Sequence, residues 1–136
     1  MKVFLGGTCN NSNWREEIIP LLTKYNIEYF NPVVDNWNEE CYKEELRQRS
    51  ICDFNLYVIT SEMTGVYSIA EVIDDSNKKS RRTIFCFLED GFDESQIKSL
   101  DKVGKMVETN GGIYFKSLDS IANYLYDFKC YLQNMN

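Results

Sequence analysis

Short apolar runs alternate along this chain with stretches whose apolar residues recur every three or four positions. Lys2-Val3-Phe4-Leu5 reads as a first strand, ended by Gly6-Gly7. The segment after Asn13 carries Trp14, Ile18, Leu21, Leu22 and Tyr25 on one helical face. Asn13 and Glu16 have the spacing of a capping box, and Pro20 predicts a kink or restart. Ile27 to Phe30 is a second strand, stopped at Asn31-Pro32. Asn38 can cap a helix from Glu39 to about Ser50, with Cys41, Tyr42 and Leu46 turned inward.

Phe54 to Thr60 is a third strand. The loop Ser61 to Gly65 leads into a helix that bears Glu71 and dissolves in the polar run Asp74 to Lys79. Arg82 to Leu88 is a fourth strand, whose unbroken apolar run suits a strand covered on both faces. Asp93 with Gln96 opens a helix apolar at Ile97, Leu100, Val103 and Val107, and Asn110-Gly111-Gly112 stops it. Ile113-Tyr114-Phe115 is a fifth strand. A last helix starts near Leu118 with Ile121, Leu125, Phe128 and Leu132 on one face. Strictly alternating strands and helices predict a single-domain, doubly wound α/β fold over residues 1–136, flavodoxin- or Rossmann-like. Its five parallel strands take the order 2-1-3-4-5, with helices on both faces.

Such a sheet gathers ligands at the carboxyl ends of its strands. That edge collects Gly6, Gly7, Thr8 and Cys9, then Asn31, Asp35 and Trp37, then Ser61 to Ser68. Glu71 is expected beside the Gly-Gly turn. The glycines either let backbone approach a ligand or form a plain tight turn. Ser68 and Glu71 match S-x-x-E, which reads equally as a capping box or as a placed carboxylate. Trp37, in a polar loop, is the candidate for stacking on a planar base, whereas Tyr67 is expected in the core. Asp53, at the amino end of the third strand, is expected to cap or orient a loop. Lys78 to Arg82, the one basic cluster, is expected as a solvated loop.

Composition narrows the chemistry. The 136 residues include no histidine, so any acid-base or nucleophilic step falls to a carboxylate, with Glu71 the best placed. A formal net charge of -6 disfavours a nucleic-acid polymer as partner but leaves room for a small anion held by backbone amides. The five cysteines lack C-x-x-C spacing, so reduced thiols and no bound metal are expected; the residues call for no cofactor. Only three consecutive apolar residues precede the first glycines, too few for a signal peptide, and no run is long enough to span a membrane. A cytoplasmic protein is expected.

The ordered set Val3-Phe4-Leu5-Gly6-Gly7-Thr8, Asn13-Trp14-Arg15, Tyr29-Phe30-Asn31-Pro32, Asp35-Asn36-Trp37 and Ser68-Ile69-Ala70-Glu71 resembles the nucleoside 2-deoxyribosyltransferase-like family, over roughly residues 1 to 125. The resemblance implies cleavage or transfer at the N-glycosidic bond of a 2′-deoxynucleoside or its 5′-monophosphate. Glu71 would be the nucleophile. Asn31, Asp35 and Trp37 would line the base, Gly6 and Gly7 the sugar or 5′-phosphate, and Ser68 would orient the carboxylate or hold a sugar oxygen. It also implies a homodimer or higher homo-oligomer. The C-terminal helix adds mild support, with Tyr124, Tyr126, Phe128 and Tyr131 on more than one face. The chain departs from the classical transferases at Thr64 to Ser68, where no acid stands before the glutamate. A nucleotide-binding or sensor module of the same fold is the alternative reading.

Overall fold

The computed structural model describes residues 1–9 and 11–135. The elements, in chain order, are β1 (Lys2–Gly7), α1 (Trp14–Lys24), β2 (Glu28–Phe30), α2 (Glu39–Ile51), β3 (Phe54–Ile59), α3 (Tyr67–Lys78), β4 (Thr83–Phe87), α4 (Glu94–Thr109), β5 (Ile113–Phe115) and α5 (Leu118–Asn134). A 3₁₀ turn, Ser80–Arg82, precedes β4. The strands form one sheet in the order β2-β1-β3-β4-β5, and every pairing is parallel. Fold class, strand order and element sequence are those the apolar pattern predicts.

Side chains along the central strands alternate between two cores, because successive residues of a strand face opposite ways. Val3, Leu5, Phe54, Leu56 and Val58 pack with Trp14, Ile18 and Leu22 of α1 and Ile121 and Leu125 of α5. Phe4, Tyr57, Ile59, Phe85 and Phe87 pack with Val72 of α3 and Leu100 and Val107 of α4. Asp53 joins the amino ends of two strands. Its carboxylate accepts from the Lys2 amide at 2.7 Å, and its own amide donates to the Lys2 carbonyl at 2.8 Å.

Several local expectations are corrected. Gly6 and Gly7 do not form a turn; they are the last residues of β1, paired with Tyr57 and Val58. A Cβ on Gly6 would lie 2.6 Å from the Tyr57 ring. Gly7 has φ +113°, and its missing Cβ would fall on the Val58 backbone. Asn13 makes no capping bond, because its ψ of 5° is not the extended conformation that aims a cap side chain at the helix amides. The Asp93–Gln96 capping box and the Asn38 cap do form. Helix α1 runs through Pro20 without a restart. Ile27 stays outside β2 because its amide closes onto the Leu22 carbonyl at 2.9 Å.

The face of α2 bearing Tyr42 and Leu46 does not pack inward; both residues are exposed, and Gln48 is the buried residue of this helix. Tyr67, expected in the core, is 65% exposed. The polar run from Asp74 continues α3 to Lys78 and buries Asp75 and Ser76. The basic cluster is not a free loop. Lys79 Nζ donates to the Arg49 and Cys52 carbonyls at the end of α2, at 3.1 and 2.8 Å, and Arg82 stacks over Phe54 and Phe128.

Pro20 lies exposed inside α1 and withholds one helical hydrogen bond from the Glu16 carbonyl. Pro20→Ala is expected to stabilise the protein by about 2 kcal/mol, the helix-interior cost of proline less the entropy that proline removes from the unfolded chain. Urea denaturation measures it; an unchanged or lowered midpoint contradicts it.

Candidate active site

The site is built on a buried polar cluster between α2, β3 and α3. Asn55 and Tyr57 lie two residues apart on β3 and so face the same side. Both are fully buried and both need a polar partner. Asp75, 4% exposed, is that partner. Its Oδ2 accepts from Tyr57 Oη at 2.5 Å and from Asn55 Nδ2 at 2.9 Å. Arg49 of α2 completes the cluster, donating from Nη2 to Asp75 Oδ1 at 2.8 Å and from Nε to both oxygens at 3.1 Å. Its Nη2 also donates to Asp74 Oδ2 at 3.0 Å.

Glu71 stands one helical turn before Asp75, on the same side of α3. Its Oε2 lies 3.8 Å from Arg49 Nη1, and its side chain is 20% exposed. Burial pushes the Glu71 carboxyl above its ordinary range. Arg49 opposes that shift, while Asp75 and Glu45 add to it. The tyrosine hydroxyl of Tyr57 is driven upward by burial and by Asp75, so it stays a protonated donor.

Glu71 opens into a cavity of about 190 Å³ whose walls include Phe4, Trp37, Tyr42, Glu45 and Tyr67. Burial also raises the Glu45 carboxyl, against a hydrogen bond from Trp37 and the charge of Arg15. A second cavity, about 180 Å³, lies over the start of α3 and is lined by Gly7, Thr8, Cys9, Gly65, Tyr67 and Ser68. A third, about 320 Å³, is lined by Phe30, Asn31, Pro32, Val34 and again Glu45. Tyr67 is common to the first two and Glu45 to the first and third.

The predicted residues are therefore distributed rather than gathered into one pocket. Gly7, Thr8 and Ser68 share a cavity, and Trp37 shares one with Glu71. Trp37 is 60% exposed, with its ring 5.8 Å from that of Tyr42. Asn31 folds its Oδ1 back onto the Val33 amide at 3.1 Å. Asp35 is exposed and lines none of these three cavities. Gly6 lies under the Tyr57 ring. Thr8 turns its hydroxyl to the Thr60 amide at 3.0 Å, tying the ends of β1 and β3 together. Ser68 and Glu71 form no capping box, because α3 starts at Tyr67 with Val66 as its cap, leaving Ser68 already inside the helix. Glu71 is thus free of a capping duty.

Several supporting residues escaped the sequence reading, among them Arg49, Glu45, Arg15 and Asp75. Arg15 is buried and donates to the Leu5 carbonyl from Nε and Nη2 and to the Thr8 carbonyl from Nη1, at 3.1, 2.8 and 2.7 Å. It holds the strand end that carries Gly7 and Thr8. Its signal was an arginine on the apolar stripe of Ile18 and Leu22. Asp75 carried the same signal, three residues after the buried Val72. Among the described residues no group of three His, Cys, Asp or Glu side chains gathers to hold a metal, and no helix is long and apolar enough to cross a membrane.

Fold and site together define an α/β protein with an enclosed carboxylate near the carboxyl edge of a parallel sheet, at the point where strand order reverses. Residues 1–91 match the family described as nucleoside 2-deoxyribosyltransferase like, and the chain belongs to that family. Its fold is similar to that of the 2-deoxyribosyltransferase from the psychrotolerant bacterium Bacillus psychrosaccharolyticus. The TM-score is 0.60 at 14% identity, over 91% of this chain and 92% of that one. No curated protein matches the chain in sequence.

Glu71 and Asp75, both on α3, are expected to respond oppositely to removal. Asp75→Ala strands Arg49, Asn55 and Tyr57 in the interior and should cost about 3–5 kcal/mol. Glu71, whose folded carboxyl lies above its ordinary value of 4.5, favours folding while protonated, and that contribution is lost as pH rises through the folded value. Glu71→Gln should therefore melt at or above the wild type at pH 7, with the difference closing as pH falls below 4.5. Melting curves across this range test both; a Glu71→Gln protein that is less stable at pH 7 than at pH 4, relative to wild type, refutes the second.

Proposed function

We propose that the protein cleaves or transfers at the N-glycosidic bond of a 2′-deoxynucleoside or its 5′-monophosphate, with Glu71 as the nucleophile. The observation that carries this reading is a half-buried carboxylate, free of capping, facing a cavity walled by aromatic rings and backed by a fixed arginine. The base lies on the side of Trp37 and Asn31, and the sugar and any 5′-phosphate lie toward Gly7, Thr8 and Ser68. The Glu71 carboxylate attacks the anomeric carbon as the base departs with the bonding electrons. The glycosyl ester that results passes the sugar to water or to a second base. Arg49 keeps the carboxylate ionised, and partial burial weakens its hydration; the two opposed effects leave an anion ready to bond. Family membership supports the substrate class. Asp35, exposed on its loop, takes no part in catalysis in this reading.

Incubation with each deoxynucleoside and deoxynucleoside monophosphate, with and without a free acceptor base, is expected to release or exchange a base on chromatography. Glu71→Ala should lose that turnover, by about 1,000-fold or more, while remaining folded. Measurable nucleotide binding without cleavage in any combination would favour the binding-module reading instead.

The protein is further proposed to self-associate as a homodimer or larger homo-oligomer. On α5, Tyr124 packs against Phe54 and Phe115, and Tyr126 stacks on Tyr25, so less of that helix is left over than its composition suggests. The exposed apolar surface nearest the site is Trp37, Tyr42, Leu46 and Tyr67, which also borders the Glu71 cavity. Light scattering at micromolar concentration should give at least twice the 16.0 kDa chain mass. A single-chain mass at every dilution rules association out.

A further inference from the structure

We infer that the site prefers a nucleoside whose base carries a positive charge, an N-alkylated purine or pyrimidine, held among the rings of Trp37, Tyr42 and Tyr67 and the carboxylates around them. The inference rests on the reading of Glu71 as nucleophile and names the class of base that its cavity takes. Two independent observations carry it, one of shape and one of charge. Trp37 from the loop before α2, Tyr42 from α2 and Tyr67 from α3 line the same cavity of about 190 Å³. All three are exposed, so their faces are not used up in the core. The Trp37 and Tyr42 rings lie 5.8 Å apart and are tilted by 53°. Two rings at that angle cannot both lie parallel to one flat base. Aromatic rings set at an angle around a small space do suit a cation, because each ring face is negative.

The charges point the same way. Glu45 and Glu71 line the cavity, and Arg49 is the one cation among its lining residues. Arg49 is already committed. Its Nη2 meets Asp75 at 2.8 Å and Asp74 at 3.0 Å, and only its Nη1 reaches Glu71, at 3.8 Å. Arg15, the other cation that Glu45 feels, is buried against the Leu5 and Thr8 carbonyls and does not line the cavity. The Trp37 indole donates to Glu45, which joins one ring to one carboxylate. Burial, then Asp75 and Glu45, push the Glu71 carboxyl upward against Arg49, and burial pushes up that of Glu45. A cation in the cavity offsets both costs. Such a base also suits a chain with no histidine and no acid from Thr64 to Ser68. The Glu71 carboxylate bonds to C1′ as the C1′–N bond breaks, and the bonding electron pair neutralises the positive ring. The base departs neutral with no proton supplied. Water then attacks C1′ of the ester, Glu71 leaves as the carboxylate, and the proton of the water passes to solvent.

The probes are 7-methyl-2′-deoxyguanosine, a cation in mildly acidic buffer, and its neutral isostere 7-methyl-7-deaza-2′-deoxyguanosine. Calorimetry on Glu71→Ala, which holds the nucleoside without cleaving it, is expected to show the cation bound about tenfold more tightly than the isostere. In that background Tyr67→Leu and Trp37→Leu should each weaken the cation about tenfold and the isostere under about threefold, whereas Tyr67→Phe keeps both affinities. Both side chains are exposed, and melting curves establish that the variants are folded. Wild type should release 7-methylguanine faster than the uncatalysed background, and Glu71→Ala should not. Equal affinity for the two probes, or equal losses on both in the leucine variants, overturns the charge preference and leaves Glu71 as the nucleophile for ordinary deoxynucleosides. A wild type that cleaves no nucleoside, charged or neutral, refutes the nucleophile reading, and the substrate preference falls with it.

Discussion

Everything at the site hangs on the buried pairing of Arg49 with Asp75. It joins a helix that is otherwise poorly anchored, α2, to one that packs well against the sheet, α3. A buried ion pair is stabilising only when its remaining hydrogen-bonding capacity is met. Here Tyr57 and Asn55 fill the second oxygen of Asp75 from the floor of β3. Tyr57 can lie there because β1 offers Gly6 and not a side chain beneath its ring. One missing Cβ in β1 thus makes room for the ring that orients the aspartate, which orients the arginine that faces Glu71.

The same arrangement sets the charge of the site. Arg49 meets three carboxylates, those of Glu71, Asp74 and Asp75. Its closest bonds go to Asp75 and Asp74, and Glu71 receives the longest contact. That ranking leaves Glu71 only partly compensated, so burial wins and its carboxyl shifts upward. A fully paired glutamate would be a poorer nucleophile, and one without Arg49 would shift further upward. Intermediate compensation is what the nucleophile role proposed for Glu71 asks of it.

The second helix also explains why so much apolar surface surrounds the cavity. Tyr42 and Leu46 recur at helical spacing and would ordinarily be buried. Here α2 is tied at its C-terminal end by polar contacts, including Lys79 on its terminal carbonyls, and Gln48 is its buried residue. The apolar face consequently lines a cavity mouth together with Trp37 and Tyr67. Planar, exposed rings around a half-buried carboxylate are what the base and sugar of the proposed substrate would meet on entering.

Local pattern and composition determined the architecture. The alternation of buried strands with amphipathic helices, the Asn38 and Asp93 caps and the place of Glu71 after β3 were legible because each depends on residues near one another in the chain, and the strand order followed because strict alternation restricts the fold to a few doubly wound arrangements. The absence of histidine directed attention to a carboxylate for the same reason: composition is a property of the chain alone. What only the tertiary structure decided was pairing across elements. It put Gly6 and Gly7 in a strand and buried Asp75 where the polar run suggested solvent. It freed Glu71 from a capping box by starting α3 two residues earlier, and it placed Glu45 in the Glu71 cavity from a helix some two dozen residues upstream. These outcomes follow from the packing of two helices over one strand, where burial and charge are set by neighbours that periodicity along a single element does not encode.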